Sequence, residues 1–375
     1  MSGRENAKLK IALLGSRGYP STYSGYETLV RYLAPYLRDQ GHEVIVYGRH
    51  RGRGWRRTEI DGITVVESPT LETKALSTPS NVITSARHIA GEGVDCVMAV
   101  NLACAPALVW LERRGIPTAL NVDGLEWRRG KWGPVAKSIF FACAALASSK
   151  ISYLVADSRG ISDYYSMTFG ASTVFIPYGG VTKVLSETDR LEEMGLTPGG
   201  YMLVVARLIP ENSIALILDA YERSSADLPF VVVGDANYRS DLALRLGRLD
   251  EEGTIRWLGH VSDQELLEQL WAHPKLYLHG HSVGGTNPSL LQALGLGAPV
   301  LALDTPFNRE VVMPFEDSLF AGDAESLSIQ IDDALAGRLD LVSGDDARAL
   351  INDRYSWSAV LADYEALMQQ VAASV

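Results

Sequence analysis

The sequence predicts an α/β protein made of two doubly wound domains, each with a parallel sheet covered by helices. Short apolar runs alternate with helical stretches in the first half of the chain, and the same alternation starts again after residue 200. Continuous apolar runs are typical of strands that are buried on both faces, which is the setting of a parallel sheet. A length of 375 residues also exceeds what one ordinary core requires, so two domains are expected.

The individual elements follow from residue type and spacing. In the first half, runs rich in Val, Ile and Leu predict strands at 10–15, 43–48, 63–68, 95–100, 117–122 and 152–157, and a helix over about 25–40. In the second half, similar runs predict strands at 201–207, 230–235, 254–259, 276–280 and 299–304. The apolar stretch 138–149 is too short for a membrane span and predicts a buried helix.

Segment 177–200 contains several Gly and Pro residues, which interrupt helices and strands, and it is the predicted linker between the domains. We expect an N-terminal domain over residues 1–180, a C-terminal domain over 181–355 and a terminal helix over 356–375. In open α/β sheets, ligands bind beyond the carboxyl ends of the strands. Two such sheets that face each other would place the site in a central cleft.

Composition limits the class of protein. Hydrophobic residues make up 47% of the chain and charged residues 21%, as in a globular soluble protein. The N-terminal residues lack the apolar core of a signal peptide, and the three cysteines form no C-x-x-C motif, so we expect a cytoplasmic protein without a zinc site. The acidic total charge of −11 argues against a nucleic-acid partner.

The charge is divided unevenly along the chain. Residues 1–185 carry 22 Lys+Arg against 15 Asp+Glu, net +7, whereas residues 186–375 carry 12 against 30, net −18. Residues 49–57 concentrate five arginines with Trp55. Such a segment suits an anionic membrane surface or an anionic acceptor, or else forms a solvated loop.

A glycine-rich turn precedes a predicted helix near residue 288. Within HSVGGTNPSLLQALGLGAPVL (281–301), Pro288 falls in the first turn of the helix and Gly297 just beyond its end. Free N–H groups and the helix dipole make such a loop suited to an anion, although a plain turn has the same signature.

Three other loops follow predicted strands. The loop GSRGYPSTYSGYET (15–28) differs in spacing from the nicotinamide-dinucleotide fingerprint, and either a ligand loop or a long turn fits it. In NVDGLEWRRGKW (121–132), acidic residues predict a carboxylate for substrate hydroxyls or proton transfer, or a solvated loop with surface ion pairs. Arg207 follows the first strand of the second domain, where an arginine suits a phosphate or simply lies at the surface.

Metal ligands are not evident in the sequence. His279 and His281 alternate on a strand and share a face, but two histidines without acidic or Cys partners nearby do not define a metal site. No Asp-x-Asp motif is present for a carboxylate-held Mg²⁺. The charge of a diphosphate would then be met by a helix N-terminus, backbone amides and arginine.

Five stretches together carry a family resemblance: GYETLVRYLAPYLRDQGHEVIVYG, VVARLIPENSIALILDAY, WLGHVSDQELLEQLWAH, NPSLLQALGLGAPVLA and YSWSAVLADYEAL. They resemble motifs of the nucleotide-sugar-dependent glycosyltransferases with two Rossmann-like domains (the GT-B fold), within glycosyltransferase family four. The resemblance implies a retaining, metal-independent enzyme whose co-substrate is a nucleotide-sugar, with no separate cofactor. It also implies that the terminal helix packs back on the N-terminal domain.

Three loops, GSRGYPSTYSGYET, NVDGLEWRRGKW and HSVGGTNPSLL, are similar to the branch that contains bacterial rhamnosyltransferases of cell-surface polysaccharide assembly. This similarity implies dTDP-L-rhamnose as donor. The acceptor is expected to be a glycan, a polyprenyl-diphosphate-linked sugar or a small molecule. The positive charge of the N-terminal domain predicts an anionic partner, such as a polyprenyl-diphosphate-linked acceptor at the inner face of the plasma membrane, with peripheral contact to anionic lipid. A nucleotide-sugar epimerase of the same fold and a non-catalytic sugar-binding protein stay open as alternatives.

The resemblance assigns roles to individual residues. The candidates near the acceptor and the anomeric carbon are Asp123 and Glu126. The donor diphosphate and sugar are assigned to Gly25, Arg207, Asn212, Gly284, Gly285, Thr286, Asn287 and Ser289. The nucleoside is assigned to Gly234, Leu258, His260 and Gln292, and the acceptor side to Arg17, Tyr19, Tyr23 and Arg128.

Three positions depart from the family's pattern. Asn212 stands where the family has its diphosphate lysine, and Gly284 and Gln292 stand where it has two glutamates. Glutamine can still accept a hydrogen bond from a ribose hydroxyl, which is compatible with a deoxyribose nucleotide. The loss of the first glutamate leaves the donor sugar to backbone amides or to residues of the N-terminal domain.

Overall fold

The protein is described by a computed structural model, which covers residues 8–20, 25–50, 52, 54–70, 77–130, 132–235 and 240–374. The chain divides into two compact units. Unit 1 comprises residues 1–128, 132–178 and 357–375, and unit 2 comprises residues 129–131 and 179–356. Each unit is built around one mostly parallel sheet, so the prediction of two doubly wound α/β domains is confirmed.

The strands of unit 1 are β1 (Lys10–Leu14), β2 (Glu43–His50), β3 (Arg56–Ile60), β4 (Ile63–Pro69), β5 (Cys96–Ala99), β6 (Thr118–Asn121), β7 (Tyr153–Ala156) and β8 (Val174–Phe175). Its helices include α1 (Gly25–Asp39), α2 (Ser77–Ile89), α3 (Ala105–Glu112), α4 (Pro134–Lys150) and α5 (Arg159–Phe169). The strands lie in the order β3-β4-β2-β1-β5-β6-β7-β8. Neighbouring strands run parallel, apart from β3 and β4, which run antiparallel.

The strands of unit 2 are β9 (Met202–Val205), β10 (Phe230–Val233), β11 (Ile255–Gly259), β12 (Leu276–His279), β13 (Val300–Leu303) and β14 (Leu319–Phe320). Its helices are α6 (Asp189–Glu193), α7 (Ile214–Arg223), α8 (Asp241–Glu251), α9 (Gln264–Ala272), α10 (Pro288–Gly295), α11 (Pro306–Val312), α12 (Ala324–Leu335) and α13 (Gly344–Tyr355). The sheet order is β11-β10-β9-β12-β13-β14, and all pairs are parallel. The order reverses between β9 and β12, which is the point where ligands of open α/β sheets bind.

The last helix, α14 (Trp357–Ala372), belongs to unit 1. The ring of Trp357 stacks on that of Tyr32 in α1, with centroids 4.3 Å apart. Further along, the Tyr364 hydroxyl accepts a hydrogen bond of 2.9 Å from the Asn121 side chain at the end of β6. The C-terminal helix therefore supports the edge of the sheet at which the strands of unit 1 end.

The predicted strands are all present, but β3, β8 and β14 were not predicted. Strand β3 pairs with β4 through a two-residue turn at Asp61 and Gly62, whose φ values are 51° and 73°. Positive φ at both positions is typical of a hairpin turn, and Asp-Gly is its usual sequence. The arginine-rich segment 49–57 is therefore partly strand, since Arg56 and Arg57 belong to β3; Arg51 and Arg53 lie outside the described residues.

Residues 138–149 lie in a helix, α4, but the prediction that this helix is buried is wrong. Only Ala144 and Ala147 are buried, whereas Val135 and Ile139 are 75% and 58% exposed. The helix is apolar on every side, so its sequence contains no polar face that would indicate which side meets solvent. Within the described parts of the chain, no helix combines the length and the apolar character that crossing a membrane requires.

Candidate functional site

The loops that follow β9 and β12 meet where the strand order of unit 2 reverses. Asn212 lies in the first loop and His281 in the second, and His281 Nδ1 is 2.7 Å from Asn212 Oδ1. The other half of the Asn212 amide, Nδ2, donates to the main-chain carbonyl oxygen of Arg207 at 2.7 Å. That bond directs the amide oxygen towards His281, so Nδ1 of the imidazole carries the proton and Nε2 is an acceptor.

Asn212 was predicted to bind the diphosphate in place of a lysine. In the structure the residue is 6% exposed, and both polar groups of its amide are used within the protein. Its side chain therefore positions His281, and a direct contact with a diphosphate stays a prediction.

The electrostatic surroundings keep His281 uncharged near neutral pH. Desolvation lowers its pKa to about 3, the guanidinium charges of Arg129 and Arg207 act in the same direction, and the backbone of Val283 opposes them. The neighbouring ring of His279, 6.2 Å away between centroids, is also neutral, since burial and the proximity of His281 lower its pKa to about 3. The site thus combines two guanidinium groups with two imidazoles that do not add charge.

Arg129 lies at this site and is grouped with unit 2, since the next residue is tied to the loop after β9. The backbone N–H of Gly130 donates to Glu211 Oε1 at 2.6 Å, and Glu211 is 5% exposed. Arg129 itself is buried, and its Nη2 lies 3.8 Å from the place that a Cβ on Gly284 would occupy. Arg207 is exposed, and no ion pair involves it among the described residues.

The glycine-rich loop after β12 leads into α10 as the sequence predicts. Asn287 caps the helix, because its Oδ1 accepts from the N–H of Ser289 at 2.9 Å and from the Ser289 hydroxyl at 2.7 Å. Gly284 has a φ of 141°, and a Cβ added there would lie 2.9 Å from His281 Nε2. Gly285 and Thr286 are buried beside it. Glycine is therefore required at 284, both for the backbone and to leave the imidazole uncovered.

The residues predicted to bind a nucleoside follow neighbouring strands of the same sheet edge. Gly234 comes after β10, with a φ of 137°, and a Cβ there would overlap the carbonyl oxygen of Ala206. Leu258 is part of β11, the exposed His260 follows it, and the partly buried Gln292 lies in α10. Their contact with a nucleoside stays a prediction.

Asp123 follows β6 at the carboxyl edge of the unit 1 sheet. Its φ of 56° lies in the left-handed region, which is uncommon for a residue other than glycine. Its N–H donates to Asn121 Oδ1 at 2.9 Å, and the hydroxyl of Tyr26 donates to its carboxylate. Burial first, and the Asp123 charge second, raise the pKa of Tyr26 well above its ordinary value. Strained backbone of this kind concentrates at functional sites.

Two other predicted residues of this loop have contacts within unit 1. The carboxylate of Glu126 is buried and accepts a hydrogen bond of 2.7 Å from the indole of Trp132. The guanidinium of Arg128 lies 4.9 Å from the ring centroid of Tyr164, a cation–π contact. Arg128 belongs to unit 1, whereas the next residue, Arg129, belongs to unit 2.

The loop after β1 is held tightly at its base. Buried Glu27 accepts from the N–H of Arg17 at 3.1 Å, and Gly18 packs against Gly48. The side chain of Arg17 is exposed and that of Tyr19 partly so. Gly25 is the first residue of α1, and Tyr23 lies outside the described residues.

No group of three or more His, Cys, Asp or Glu side chains that could hold a metal ion occurs in the described part of the chain.

Two family patterns match the sequence in succession. Residues 24–179 match the glycosyl transferase 4-like domain, and residues 195–354 match the glycosyl transferases group 1. Together the two matches show a glycosyltransferase of the combined 4-like and group 1 type. The prediction that the protein is a glycosyltransferase is thereby confirmed.

Solved structures share the fold of this glycosyltransferase. Sucrose-phosphate synthase from Thermosynechococcus elongatus superposes with a TM-score of 0.80 at 17% identity, covering 98% of this chain and 100% of that one. HepE of Anabaena in complex with UDP-glucose gives a TM-score of 0.74 at 16% identity, covering 98% and 100%. At such identities the likeness concerns the fold alone, and it confirms the two Rossmann-like domains of the GT-B class.

Among curated proteins, the GtfA subunit of the UDP-N-acetylglucosamine–peptide N-acetylglucosaminyltransferase from Streptococcus agalactiae is 25% identical over 112 residues. This match spans 29% of the glycosyltransferase and 21% of that relative.

Three residues of the unit 2 site have no role in the prediction from sequence, namely Arg129, Glu211 and His281. For Arg129 the sequence held no signal that separates it from Arg128, since the two are adjacent and chemically alike. His281 was considered only as a metal ligand. Its partner Asn212 is 69 positions away in sequence, so their contact follows only from the fold.

Buried His279 should make the glycosyltransferase sensitive to acid. Its folded-state pKa is lowered to about 3 from an ordinary value of 6.5, so the unfolded chain takes up a proton that the folded chain refuses. Stability that is present above about pH 6.5 is then lost as the pH falls towards 3, by up to about 1.4 kcal/mol per pH unit. In urea unfolding at pH 7 and pH 5, His279→Leu should lose less stability on acidification than the parent protein; an equal loss would contradict this.

Proposed function

We propose that this glycosyltransferase transfers L-rhamnose from dTDP-L-rhamnose to a hydroxyl group of a glycan or polyprenyl-diphosphate-linked acceptor, with retention of configuration and without a metal ion. The observation that carries the proposal is that the guanidinium groups of Arg129 and Arg207 both lie close enough to His281 to lower its pKa, while Arg129 Nη2 is 3.8 Å from a Cβ position on Gly284, in the loop that leads into α10. Guanidinium groups, backbone N–H groups and a helix dipole together supply the positive charge that a diphosphate needs. The complex of HepE with UDP-glucose supports a nucleotide-sugar as the donor class.

The choice of dTDP-L-rhamnose rests on the resemblance of three loops to rhamnosyltransferases and on the side chains at 284 and 292. Gly284 and Gln292 provide no carboxylate, whereas a ribose or a hexose rich in hydroxyl groups is commonly held by one. A glutamine can bind the single free hydroxyl of a deoxyribose ring, and Gly284 leaves room beside the donor sugar. Both features suit a deoxynucleotide donor.

The chemical step that we propose needs little from the protein besides charge stabilisation. The bond between the anomeric carbon and the diphosphate oxygen breaks, and the electron pair goes to the leaving phosphate. The acceptor oxygen bonds to the same face of that carbon, and its proton passes to the departing phosphate oxygen. Arg129, Arg207 and the α10 dipole stabilise the developing negative charge, which is the largest contribution in reactions of this kind.

Asp123 is our candidate for the side chain that meets the acceptor and the anomeric carbon, with Glu126 second. The hydrogen bond from its N–H to Asn121 fixes its left-handed backbone, and the hydrogen bond from the Tyr26 hydroxyl orients its carboxylate. A fixed negative charge favours an oxocarbenium-like transition state and can orient an acceptor hydroxyl. Because Glu126 is bound to Trp132, its carboxylate is better suited to support the loop.

The donor is tested with a panel of dTDP-rhamnose, UDP-glucose, UDP-GlcNAc and GDP-mannose. We expect dTDP-rhamnose to raise the melting temperature most and to be hydrolysed slowly in the absence of acceptor. The readouts are thermal shift and release of the nucleoside diphosphate by chromatography. Stabilisation by a different donor only would refute the dTDP assignment, and formation of an epimerised sugar nucleotide would favour the epimerase.

Removal of the guanidinium groups should affect diphosphates selectively. We expect Arg207→Ala and Arg129→Ala each to weaken dTDP binding about 10- to 100-fold, as charged hydrogen bonds to phosphate are lost. Thymidine binding should change by less than about twofold. Arg245→Ala is a matched control in unit 2, since Arg245 pairs with Asp219 and Glu222 on the surface. In isothermal titration, equal effects on dTDP and thymidine would contradict the assigned role.

We further propose that unit 1 contacts an anionic membrane at the inner face of the plasma membrane, where a polyprenyl-linked acceptor would be reached. The exposed Val135 and Ile139 lie one turn apart on α4, and Lys137 lies between them in sequence. Apolar side chains next to basic ones suit insertion beside anionic headgroups. The net charge of +7 over residues 1–185 acts in the same direction.

Vesicle co-sedimentation tests this contact. The protein should sediment with vesicles that contain phosphatidylglycerol and much less with phosphatidylcholine alone. Ile139→Asp should lower the bound fraction about tenfold, because a charge is costly in the bilayer. Ile329→Asp is the matched control, since Ile329 is also 58% exposed but lies in α12 of unit 2. Equal effects of the two substitutions, or no preference for anionic lipid, would refute the contact.

A further inference from the structure

We propose that His281 binds the donor sugar by accepting a hydrogen bond from one of its hydroxyl groups through Nε2, and that Asn212 fixes the tautomer that makes this possible. The inference rests on the proposed function, because it adds a specificity-determining residue to the same donor site. His281 would thereby supply the acceptor that no carboxylate supplies in this loop.

The tautomer follows from the hydrogen bonds of Asn212. Its Nδ2 donates to the carbonyl oxygen of Arg207, and its Oδ1 faces His281 Nδ1, both at 2.7 Å. The opposite tautomer, with the proton on Nε2, would need Asn212 to turn its oxygen towards the Arg207 carbonyl. Two oxygen acceptors would then face each other at hydrogen-bond distance, which is repulsive. The proton therefore stays on Nδ1, and the Nε2 lone pair is available.

His281 Nε2 lies beside Gly284, in the loop against which the donor would bind. A Cβ on residue 284 would lie 2.9 Å from Nε2, so any side chain there would cover it. Glycine leaves this edge of the ring open, and the imidazole is only partly buried. Asn212 occupies Nδ1 and the backbone of Val283 also meets the ring, while no side chain of the described residues is hydrogen-bonded to Nε2.

The chemistry of the neighbouring groups selects what Nε2 can bind. Arg129, Arg207 and the backbone N–H groups at the start of α10 are all donors, which suits phosphate oxygens. An unprotonated Nε2 repels a phosphate oxygen but accepts from a hydroxyl. A carboxylate could also accept, but its charge would offset part of the positive charge intended for the diphosphate. A neutral imidazole accepts one hydrogen bond and leaves that charge intact.

The test compares a nucleoside diphosphate with its sugar conjugate in the full-length protein. We measure Kd by isothermal titration for dTDP and dTDP-rhamnose, or for whichever pair of the four-donor panel the parent protein binds. His281→Ala should weaken the sugar nucleotide about three- to tenfold and leave the nucleoside diphosphate within about twofold. His281→Gln, which retains an acceptor oxygen, should recover part of the loss. Asn212→Ala should also reduce the preference for the sugar nucleotide.

His273→Ala is the matched control, because His273 lies in unit 2 away from this loop and contacts the backbone of Glu187. Unchanged affinity for the nucleoside diphosphate shows that each variant is folded. If His281→Ala leaves the ratio of the two Kd values unchanged, whether or not both ligands bind more weakly, the role of His281 is overturned, but the proposed donor site is not. A parent protein that binds none of the four nucleotide-sugars would overturn both this inference and the proposed function.

Discussion

The hydrogen bond between the side chains of Asn212 and His281 is the contact on which the site of unit 2 depends. It joins the loops after β9 and β12 at the reversal of the strand order, where an open α/β sheet offers its binding position. The lysine that the family pattern has at position 212 could not accept a hydrogen bond from the Nδ1–H of His281, and it would bring a positive charge against an imidazole that is already close to two guanidinium groups. The departure at Asn212 and the presence of His281 are thus explained together.

Gly284 affects which groups of the site a ligand can reach. A glycine at 284 removes a side chain that would cover His281 Nε2, and the neutral ring does not add its own charge to those of Arg129 and Arg207. A site with two guanidinium groups, one buried carboxylate at Glu211 and one neutral acceptor suits a ligand with an anionic part and a hydroxyl-bearing part. Sugar nucleotides combine these two parts. In unit 1, Asp123 is fixed by the end of β6 and by Tyr26, and α14 supports that strand end through Tyr364.

Much of the fold could be predicted because buried parallel strands have a distinctive composition. The hairpin of β3 and β4 was missed although Asp61-Gly62 is a recognisable turn sequence, since the surrounding arginines were interpreted as a loop. How far α4 is buried could not be predicted, because the sequence of a helix that is apolar on every side does not indicate which side faces solvent. For the site, the sequence predicted its place at the ends of the strands and the glycine-rich turn before α10. Arg129 and not Arg128 lies at the unit 2 site, and Asn212 pairs with His281. Both facts depend on tertiary contacts, which the sequence does not reveal.

The most direct test of this account is the protonation of His281, measured by ¹⁵N NMR of the imidazole with assignment from His281→Gln. We expect a proton on Nδ1, an unprotonated Nε2 and no titration of His281 between about pH 5 and pH 8, since its pKa is lowered to about 3. Addition of the donor should then shift the Nε2 resonance as it accepts a hydrogen bond. A proton on Nε2, or a titration midpoint near the ordinary histidine value of about 6.5, would contradict the account.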